Sequence, residues 1–523
     1  MSERGFAAQA AALVAMRDVH KAFGPVVALD GAHFALPPGE IHGLLGGNGA
    51  GKTTLMNILY GLYRADAGTI EVDGRPVEIR APRDALRYGI GMVHQHFLQV
   101  ETYTVVENIT LGTPVDNPLR TDPARDAARV RDLAGRYGLT VDLLARVADL
   151  PVGARQRVEI LKALYRGSRV LILDEPTTNL TPQEVDALFG SLRAIVDEGM
   201  SVVFITHKIR EVRAVCDRIS VMRHGRTVLA GAPAGTDDQT LVRAMVGEEL
   251  DVRTSLLFAG EGRNGRGGGS AGTPVLRVEG LRVLDETGAA RVDDCDLRVG
   301  AGEILGIAGV AGNGQRELVE CFIGLRPAAA GRVWIDHTDV TGADTRSLLD
   351  RGVAYIPEDR LHDGFLPDAS VADNLILGFH RHPPYSRGAL FDPRAAARVA
   401  RRLIREYGIR TPSHGERAGR LSGGNIQRIL LARAFSHPCR LLIAHNPTRG
   451  LDIVSTEFVY RKLLDLRAQG AGVLLASEDL DELLLLCDRI AVLYRGRVVG
   501  TLPRDRFDRY EIGAMMGGVA SVG

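Results

Sequence analysis

A hexapeptide that returns almost unchanged divides this 523-residue chain in two. Cys216-Asp217-Arg218-Ile219-Ser220-Val221 recurs 271 residues later as Cys487-Asp488-Arg489-Ile490-Ala491-Val492, and Gly39-Glu40-Ile41 recurs 263 residues later as Gly302-Glu303-Ile304. A period this long lies far above the roughly 20–50 residues of solenoid units, so whole domains are repeated. The two offsets differ by eight residues, which places extra sequence in the second copy between the landmarks, with 383–394 as the expected location. Between the copies, 261–273 reads EGRNGRGGGSAGT, too rich in glycine and too poor in apolar side chains to pack a core. Domains are expected at 12–250 and 274–518, with a linker over 251–273.

Each copy runs from β-rich pieces through a Gly-rich turn into helix, and then to an apolar strand closed by Asp or its replacement. The apolar runs 170–173 and 202–205 are short and followed by polar residues, as parallel strands covered on both faces require. The fold class is α/β. With 64 basic against 64 acidic side chains there is no electrostatic case for a nucleic-acid binder. The five cysteines are far apart and never form a CxxC pair, which argues against a disulfide framework or a zinc site and for a reduced, cytoplasmic compartment. No run of 18 apolar residues is present; the candidate 483–494 is broken by Asp488 and Arg489. Residues 6–16 are weakly signal-like but carry only Arg4 ahead of them and lead into a strand-like 19–23, so a short frayed extension is expected.

Residues 46–53, GGNGAGKT, fit G-x-x-x-x-G-K-[ST]. Glycines let consecutive backbone N–H groups curl around phosphate oxygens, and the loop opens a helix whose N-terminus favours negative charge. Lys52 would neutralise the β- and γ-phosphates and the Thr53 hydroxyl would ligate Mg²⁺. A mostly apolar strand, Ile41–Leu45, precedes the loop and 55–59 continues as helix. Further along, Asp174 ends an apolar strand and would hold Mg²⁺ through its hydration shell, while Glu175 is placed to take a proton from the attacking water. His207 follows another apolar strand and could touch the γ-phosphate. Gln95, after Met92-Val93-His94, could orient water or Mg²⁺.

On these motifs the chain resembles the ATP-binding subunit of an ATP-binding-cassette importer, of the tandem type that serves simple sugars and nucleosides. The resemblance covers essentially the whole chain and includes the family's signature, present here as Leu421-Ser422-Gly423-Gly424-Asn425 followed by Ile426-Gln427-Arg428. It implies two tandem P-loop NTPase domains, each with a RecA-like α/β core, a β-rich subdomain and a helical subdomain. It places Gln95 in the loop that faces the permease, Phe23 where an aromatic stacks on adenine, and His207 as the switch histidine. ATP would be held by Phe23, by Gly46, Gly47, Asn48, Gly49, Ala50, Gly51, Lys52, Thr53 and Thr54, and by Ser422, Gly423, Gly424 and Asn425. Thr53, Gln95 and Asp174 would serve Mg²⁺. Paired cassettes of this family lie head to tail, so each ATP is sandwiched between one half's phosphate loop and the other half's signature.

Applying the offsets shows what the second copy lacks. Its loop keeps Gly309, Gly312 and Gly314 but has Gln315 at the lysine position and Arg316 at the metal-ligand position; Lys462 is the only lysine in that half. Asp174 maps to His445, Glu175 to Asn446, Gln95 to Glu358 and His207 to Glu478. The first copy's own signature is altered to Leu150-Pro151-Val152-Gly153-Ala154, where Pro151 removes an N–H and a hydroxyl. In a head-to-tail pair these losses meet in one place, leaving one hydrolytic and one inactive site per chain. His445 has no functional account at this level beyond a packed or hydrogen-bonded histidine.

The resemblance implies permease subunits carrying the membrane spans, an external solute-binding protein, no nucleic acid, and a peripheral position on the cytoplasmic face of the cell (inner) membrane. Residues 92–97 (MVHQHF) and 157–167 (RVEILKALYRG) look more like the nucleoside branch than the pentose and hexose branch. The alternative is a soluble tandem-cassette ATPase acting on ribosomes or DNA. Those relatives keep both halves catalytically intact and join them through a longer charged helical linker, unlike this chain.

Overall fold

The computed structural model describes residues 12–95, 97–113, 123–247, 255–256, 274–388 and 390–518. The chain divides into two compact units, 1–252 and 253–523. The glycine-rich run 261–273 lies outside the described residues, as do residues 6–11 and His96. Within the expected linker, residues 255–256 are fastened to the second unit. Ser255 Oγ donates to Glu457 Oε2 at 2.9 Å, and the Leu256 N–H meets both oxygens of the same carboxylate at 3.0 and 3.1 Å.

In the first unit a six-stranded sheet runs in the order Arg226–Gly231, Arg218–Arg223, Ile41–Leu45, Ser201–Thr206, Val170–Asp174, Ile90–Val93, all parallel except the antiparallel edge Arg226–Gly231. Every residue of Ile41–Leu45, Ser201–Thr206, Val170–Asp174 and Ile90–Val93 is buried, which is why these segments read as continuous apolar runs and not as alternating strands. A second, antiparallel sheet is ordered Val26–Leu36, Val14–Phe23, Ala67–Val72, Arg75–Pro76. Its first strand starts at Val14, five residues ahead of the 19–23 legible in sequence, with Val14 and Met16 in the core. The helices Val105–Thr110, Pro123–Arg136 and Val152–Tyr165 make the helical part.

The second unit repeats this plan strand for strand. Its sheets are ordered Arg497–Pro503, Arg489–Tyr494, Ile304–Ala308, Gly472–Ser477, Leu441–His445, Val353–Ile356 and Ala290–Gly300, Pro274–Leu284, Ala330–Ile335, Thr338–Asp339. The eight extra residues are not gathered around 383–394 as expected. The offset is still 263 between Ile90–Val93 and Val353–Ile356 but 266 between Val105–Thr110 and Val371–Ile376, whose starts carry matching capping boxes at Thr104 and Ser370. Three residues therefore enter just after the edge strand Val353–Ile356 of the phosphate-loop sheet, where Arg360–Gly364 forms a short π-helix. Four more precede Pro393–Glu406 and accompany a hairpin, Ser386–Arg387 with Leu390–Phe391, and one falls before the signature. Periodicity and end-to-end arithmetic count an insertion but cannot divide it; capping residues and hydrogen bonds do.

Gly51 shows how the backbone shapes the loop. It caps the helix Lys52–Tyr60 at φ 101°, and a Cβ there would lie 2.7 Å from Leu29 Cδ2 and 2.8 Å from the Ala28 carbonyl oxygen. Gly49, at φ 76°, faces open space. Gly51→Ala is expected to destabilise the first unit by about 2–4 kcal/mol, from left-handed strain plus a backbone clash, and Gly49→Ala by only about 1 kcal/mol. The midpoints of urea unfolding compare the two.

Candidate functional site

Four strand ends of the six-stranded sheet, those of Ile41–Leu45, Ile90–Val93, Val170–Asp174 and Ser201–Thr206, deliver the first unit's polar residues to one edge. Strand Ile41–Leu45 leads into the loop 46–51, which turns through left-handed glycines before the helix Lys52–Tyr60. Lys52 is buried and folds back over the loop, its ammonium donating to the carbonyls of Gly46 at 2.8 Å and Gly47 at 3.1 Å. Burial lowers its pKa, while the neighbouring Glu175 and Asp174 carboxylates pull the other way. Lys52 is thus a desolvated cation held close to two acids, a setting in which an added anion gains more than it would in water.

Strand Val170–Asp174 ends in Asp174, buried and hydrogen-bonded to the Thr53 side chain; burial raises its pKa, with Thr53 and Lys52 acting against that rise. A buried carboxylate beside a hydroxyl is a hard-oxygen set short of positive charge, and it fits Mg²⁺. Glu175 follows in the left-handed region at φ 48°. Its Oε1 lies 3.1 Å from His207 Nδ1 and its Oε2 accepts from Gln95 Nε2 at 3.1 Å. Burial alone would raise the Glu175 pKa, but the hydrogen bond and charge of His207, with Lys52 and Lys208, outweigh it, and the net direction is down. The carboxylate is held ionised and therefore able to accept a proton.

Lys52, Thr53, Asp174, Glu175, Gln95 and His207 are thus brought together. Phe23 is not in contact with them: it is exposed at the end of the strand Val14–Phe23, edge-to-face with Tyr63 at 5.2 Å between ring centroids and with Lys21 Nζ 5.4 Å from its ring. Tyr63 went unnoticed in the sequence because an aromatic after a helix carries no motif. Also unnoticed was Glu211, buried beneath the site and accepting from Thr177 and Thr206, each at 2.7 Å. The repeat held its signal, since Glu482 occupies the same place in the second copy and accepts from Thr448 at 2.8 Å and Ser477 at 2.5 Å.

The second unit keeps the geometry and changes the chemistry. Gly312 and Gly314 turn at φ 88° and 104°, beside 76° and 101° for Gly49 and Gly51. Gln315 folds back on the Val310 carbonyl at 3.4 Å, as Lys52 does on Gly47, but brings no charge. Arg316 pairs with Glu320 at 2.7 Å. The hydrogen bond between Gln95 and Glu175 recurs with donor and acceptor exchanged: Asn446 Nδ2 donates to Glu358 Oε1 at 3.0 Å. Glu358 also receives Arg449 and lies 3.6 Å from His445 Nε2. His445 is therefore a buried histidine beside a carboxylate, its pKa lowered by burial against the pull of Glu358. Burial, and then Glu358, push the Glu478 carboxyl up to about 7. A guanidinium and an imidazole replace Thr53 and Asp174, so this donor set does not fit Mg²⁺. Among the described residues no group of three or more His, Cys, Asp and Glu side chains could hold a metal.

The two signatures differ in the same manner. Helix Gly423–Phe435 starts at exposed glycine, with Ser422 as its N-cap residue and Asn425 Nδ2 donating to Ser422 Oγ at 2.9 Å, which leaves the hydroxyl hydrogen free to donate. Helix Val152–Tyr165 starts from Pro151.

Comparison with known proteins matches the chain to the family model described as ABC transporter twice, over residues 29–178 and 292–449. It is similar to the guanosine import ATP-binding protein NupO of Bacillus subtilis, 41% identical with 97% of each chain covered. It is also similar to the glucose import ATP-binding protein TsgD13 of Haloferax volcanii, 42% identical over 96% of this chain and 95% of that one. A third relative is the nucleoside import ATP-binding protein NupA of Lactococcus lactis, 39% identical over 97% and 98%. With both loops and both signature helices inside the two matched regions, the chain belongs to the ABC transporter family and carries two of its ATP-binding cassettes.

Proposed function

We propose that the chain is the energy-coupling ATPase of an importer for nucleosides or closely related small polar solutes, working with separate permease subunits and an external solute-binding protein. No helix among the described residues is long and apolar enough to cross a membrane, so the spans would come from the permease. The observation that carries the reading is the cluster of Glu175 with Gln95 and His207 beside Lys52 and the Thr53–Asp174 pair. The names of NupO and NupA favour a nucleoside and that of TsgD13 a sugar; the runs at 92–95 and 157–167 tip the choice toward the nucleoside.

In this reading the loop amides and Lys52 take the phosphates, and Thr53 and Asp174 hold Mg²⁺, with Gln95 at its edge. The bound ion supplies charge neutralisation of the phosphate oxygens. Glu175 receives the proton of the attacking water, with Gln95 and His207 fixing its two oxygens, and His207 carries the state of the γ-phosphate to the rest of the cassette. Phe23 and Tyr63 offer faces for the adenine. Ser422, Gly423, Gly424 and Asn425 complete the same ATP from the other side in the head-to-tail pair. The second loop, faced with the Pro151 signature, is the non-hydrolytic site.

The test is solute-stimulated ATP turnover by the chain assembled with its permease and binding protein in lipid vesicles. Guanosine or another nucleoside is expected to raise turnover severalfold while ribose and glucose do not. Stimulation by a sugar alone would reverse the solute assignment, and stimulation only by ribosomes or DNA would overturn the importer.

A further inference from the structure

The balance of 64 basic against 64 acidic side chains conceals one local excess. Helix Pro393–Glu406 carries five arginines and no acid between Arg394 and Arg405. Arg394, Arg398, Arg401, Arg402 and Arg405 are all exposed, and at 3.6 residues per turn they fall within about 100° of the helix circumference. None of the five makes an ion pair or a side-chain hydrogen bond among the described residues. The opposite face is closed, with Ala395, Ala396, Ala400 and Leu403 buried in the second unit.

The stripe is costly to the helix itself. Arg394 with Arg398, Arg398 with Arg402, and Arg401 with Arg405 set like charges four residues apart, and Arg394 lies in the first turn, at the positive end of the helix dipole. Helix Pro123–Arg136, at the same place in the first unit, avoids this. Asp126 and Asp132 stand among its four arginines, Arg136 pairs with Glu198 at 2.6 Å, and Arg129 lies over the Tyr165 ring at 4.6 Å. In the second unit, two exposed apolar side chains stand at the head of the stripe. Leu390 is 78% and Phe391 47% exposed, on the second strand of the hairpin Ser386–Arg387 with Leu390–Phe391. Asp392 joins hairpin to helix by accepting from the N–H groups of Arg394 and Ala395, at 2.9 and 3.0 Å. Its carboxylate is spent on that cap, and its charge offsets part of that of Arg398 and Arg387.

Guanidinium groups in a row match phosphate oxygens, and exposed leucine and phenylalanine beside them match the boundary between lipid headgroups and acyl chains. A nucleic-acid backbone would answer the charge and leave the two apolar side chains in water. We propose that the stripe 394–405 and the tip Leu390–Phe391 form a direct contact with the membrane, separate from the permease. The arginines meet the phosphates of anionic phospholipids, and the two apolar side chains enter the headgroup layer. The helix lies on the surface and not within it, because its own apolar face is already used inside the unit. This contact presupposes the peripheral position that the importer reading gives the chain, but it needs neither ATP nor the permease.

The test mixes the full-length chain, without permease, nucleotide or solute, with vesicles of phosphatidylcholine alone or of phosphatidylcholine with phosphatidylglycerol, and separates bound from free by flotation. Binding to the mixed vesicles is expected at low salt, with little to phosphatidylcholine alone, and it should fall steeply as salt rises. Each basic residue at an anionic surface is worth roughly a factor of five in partitioning, so Arg398→Gln/Arg401→Gln/Arg405→Gln should lower it about a hundredfold. Leu390→Ser/Phe391→Ser should lower it severalfold. Arg75→Gln/Arg83→Gln/Arg346→Gln removes the same charge from exposed positions elsewhere and should leave it within about twofold. All three variants change exposed side chains, and thermal unfolding checks that each is folded. Failure of the wild type to bind the mixed vesicles overturns the proposal, as does an equal loss in the stripe variant and the control. Unchanged vesicle binding by the stripe variant also overturns it, and if that variant then fails to co-purify with the permease, the stripe is a seat for protein. None of these outcomes touches the importer reading, which solute-stimulated turnover decides.

Discussion

Glu175→Gln lowers the ATP turnover of the assembled transporter by about 10²–10⁴-fold, while Asn446→Gln leaves it within about threefold. The first change removes the carboxylate whose pKa is held down against its burial by the hydrogen bond of His207 at 3.1 Å and by the charges of Lys52 and Lys208. Gln is isosteric and can still accept from Gln95, so binding of ATP and the local fold are retained and the loss falls on kcat. ATP should then remain bound and trap the chain in its nucleotide-loaded state, detectable as retention of labelled ATP after rapid gel filtration. The second change acts where a proton acceptor is already missing: Asn446 donates to Glu358 and receives the Glu478 N–H, but cannot take a proton from water. If Asn446→Gln were as damaging as Glu175→Gln, both sites would be hydrolytic and the asymmetry would fail.

The difference in residues between the two units was legible position by position because the proposed catalytic groups sit at strand ends, where the parallel sheet gives no freedom of register. Lys52 against Gln315, Asp174 against His445 and Glu175 against Asn446 follow from two offsets alone, and the strand orders of the two units agree with them. The frame around these positions was harder to read. Glu211 and Glu482 are joined to Thr177, Thr206, Thr448 and Ser477 in the same pattern in both units, yet a buried acid five residues after a strand looks like any helical surface acid until its partners are seen. The same frame is present in the unit whose strand ends carry Gln315, His445 and Asn446. Half of the insertion, outside the expected 383–394, escaped notice for a related reason. A loop rich in Pro, His and Arg draws the eye, whereas three residues accommodated as the π-helix Arg360–Gly364 leave no mark on periodicity.

Ser422→Pro is expected to reduce turnover by about 10²–10³-fold, the scale of losing one fixed donor to a transition-state oxygen, whereas Pro151→Ser changes it by less than about twofold. The two positions are conformational twins. Ser422 has φ −65° and ψ 154°, Pro151 has φ −65° and ψ 159°, and each is the residue before its helix. Proline therefore enters at 422 without backbone strain, and Leu421, at φ −82° and ψ 155°, is already in the region a following proline demands. The structural cost is the hydrogen bond from Asn425, on the order of 1 kcal/mol, and thermal unfolding of the variant measures it separately. What the substitution removes is a hydroxyl hydrogen and a backbone N–H at the head of a helix whose first residue is an exposed glycine. In the head-to-tail pairing proposed above, those donors complete the ATP held by Lys52 and the loop 46–51, so their loss falls on the hydrolytic site. Pro151→Ser restores the same donors to the side facing Gln315, Arg316, His445 and Asn446, where no base and no metal set await them. Equal sensitivity at 151 and 422 would mean that both composite sites turn over ATP, and insensitivity at 422 would mean that the first unit's loop does not use the second unit's signature. The two substitutions, read with Glu175→Gln, thus separate which loop hydrolyses from which signature serves it.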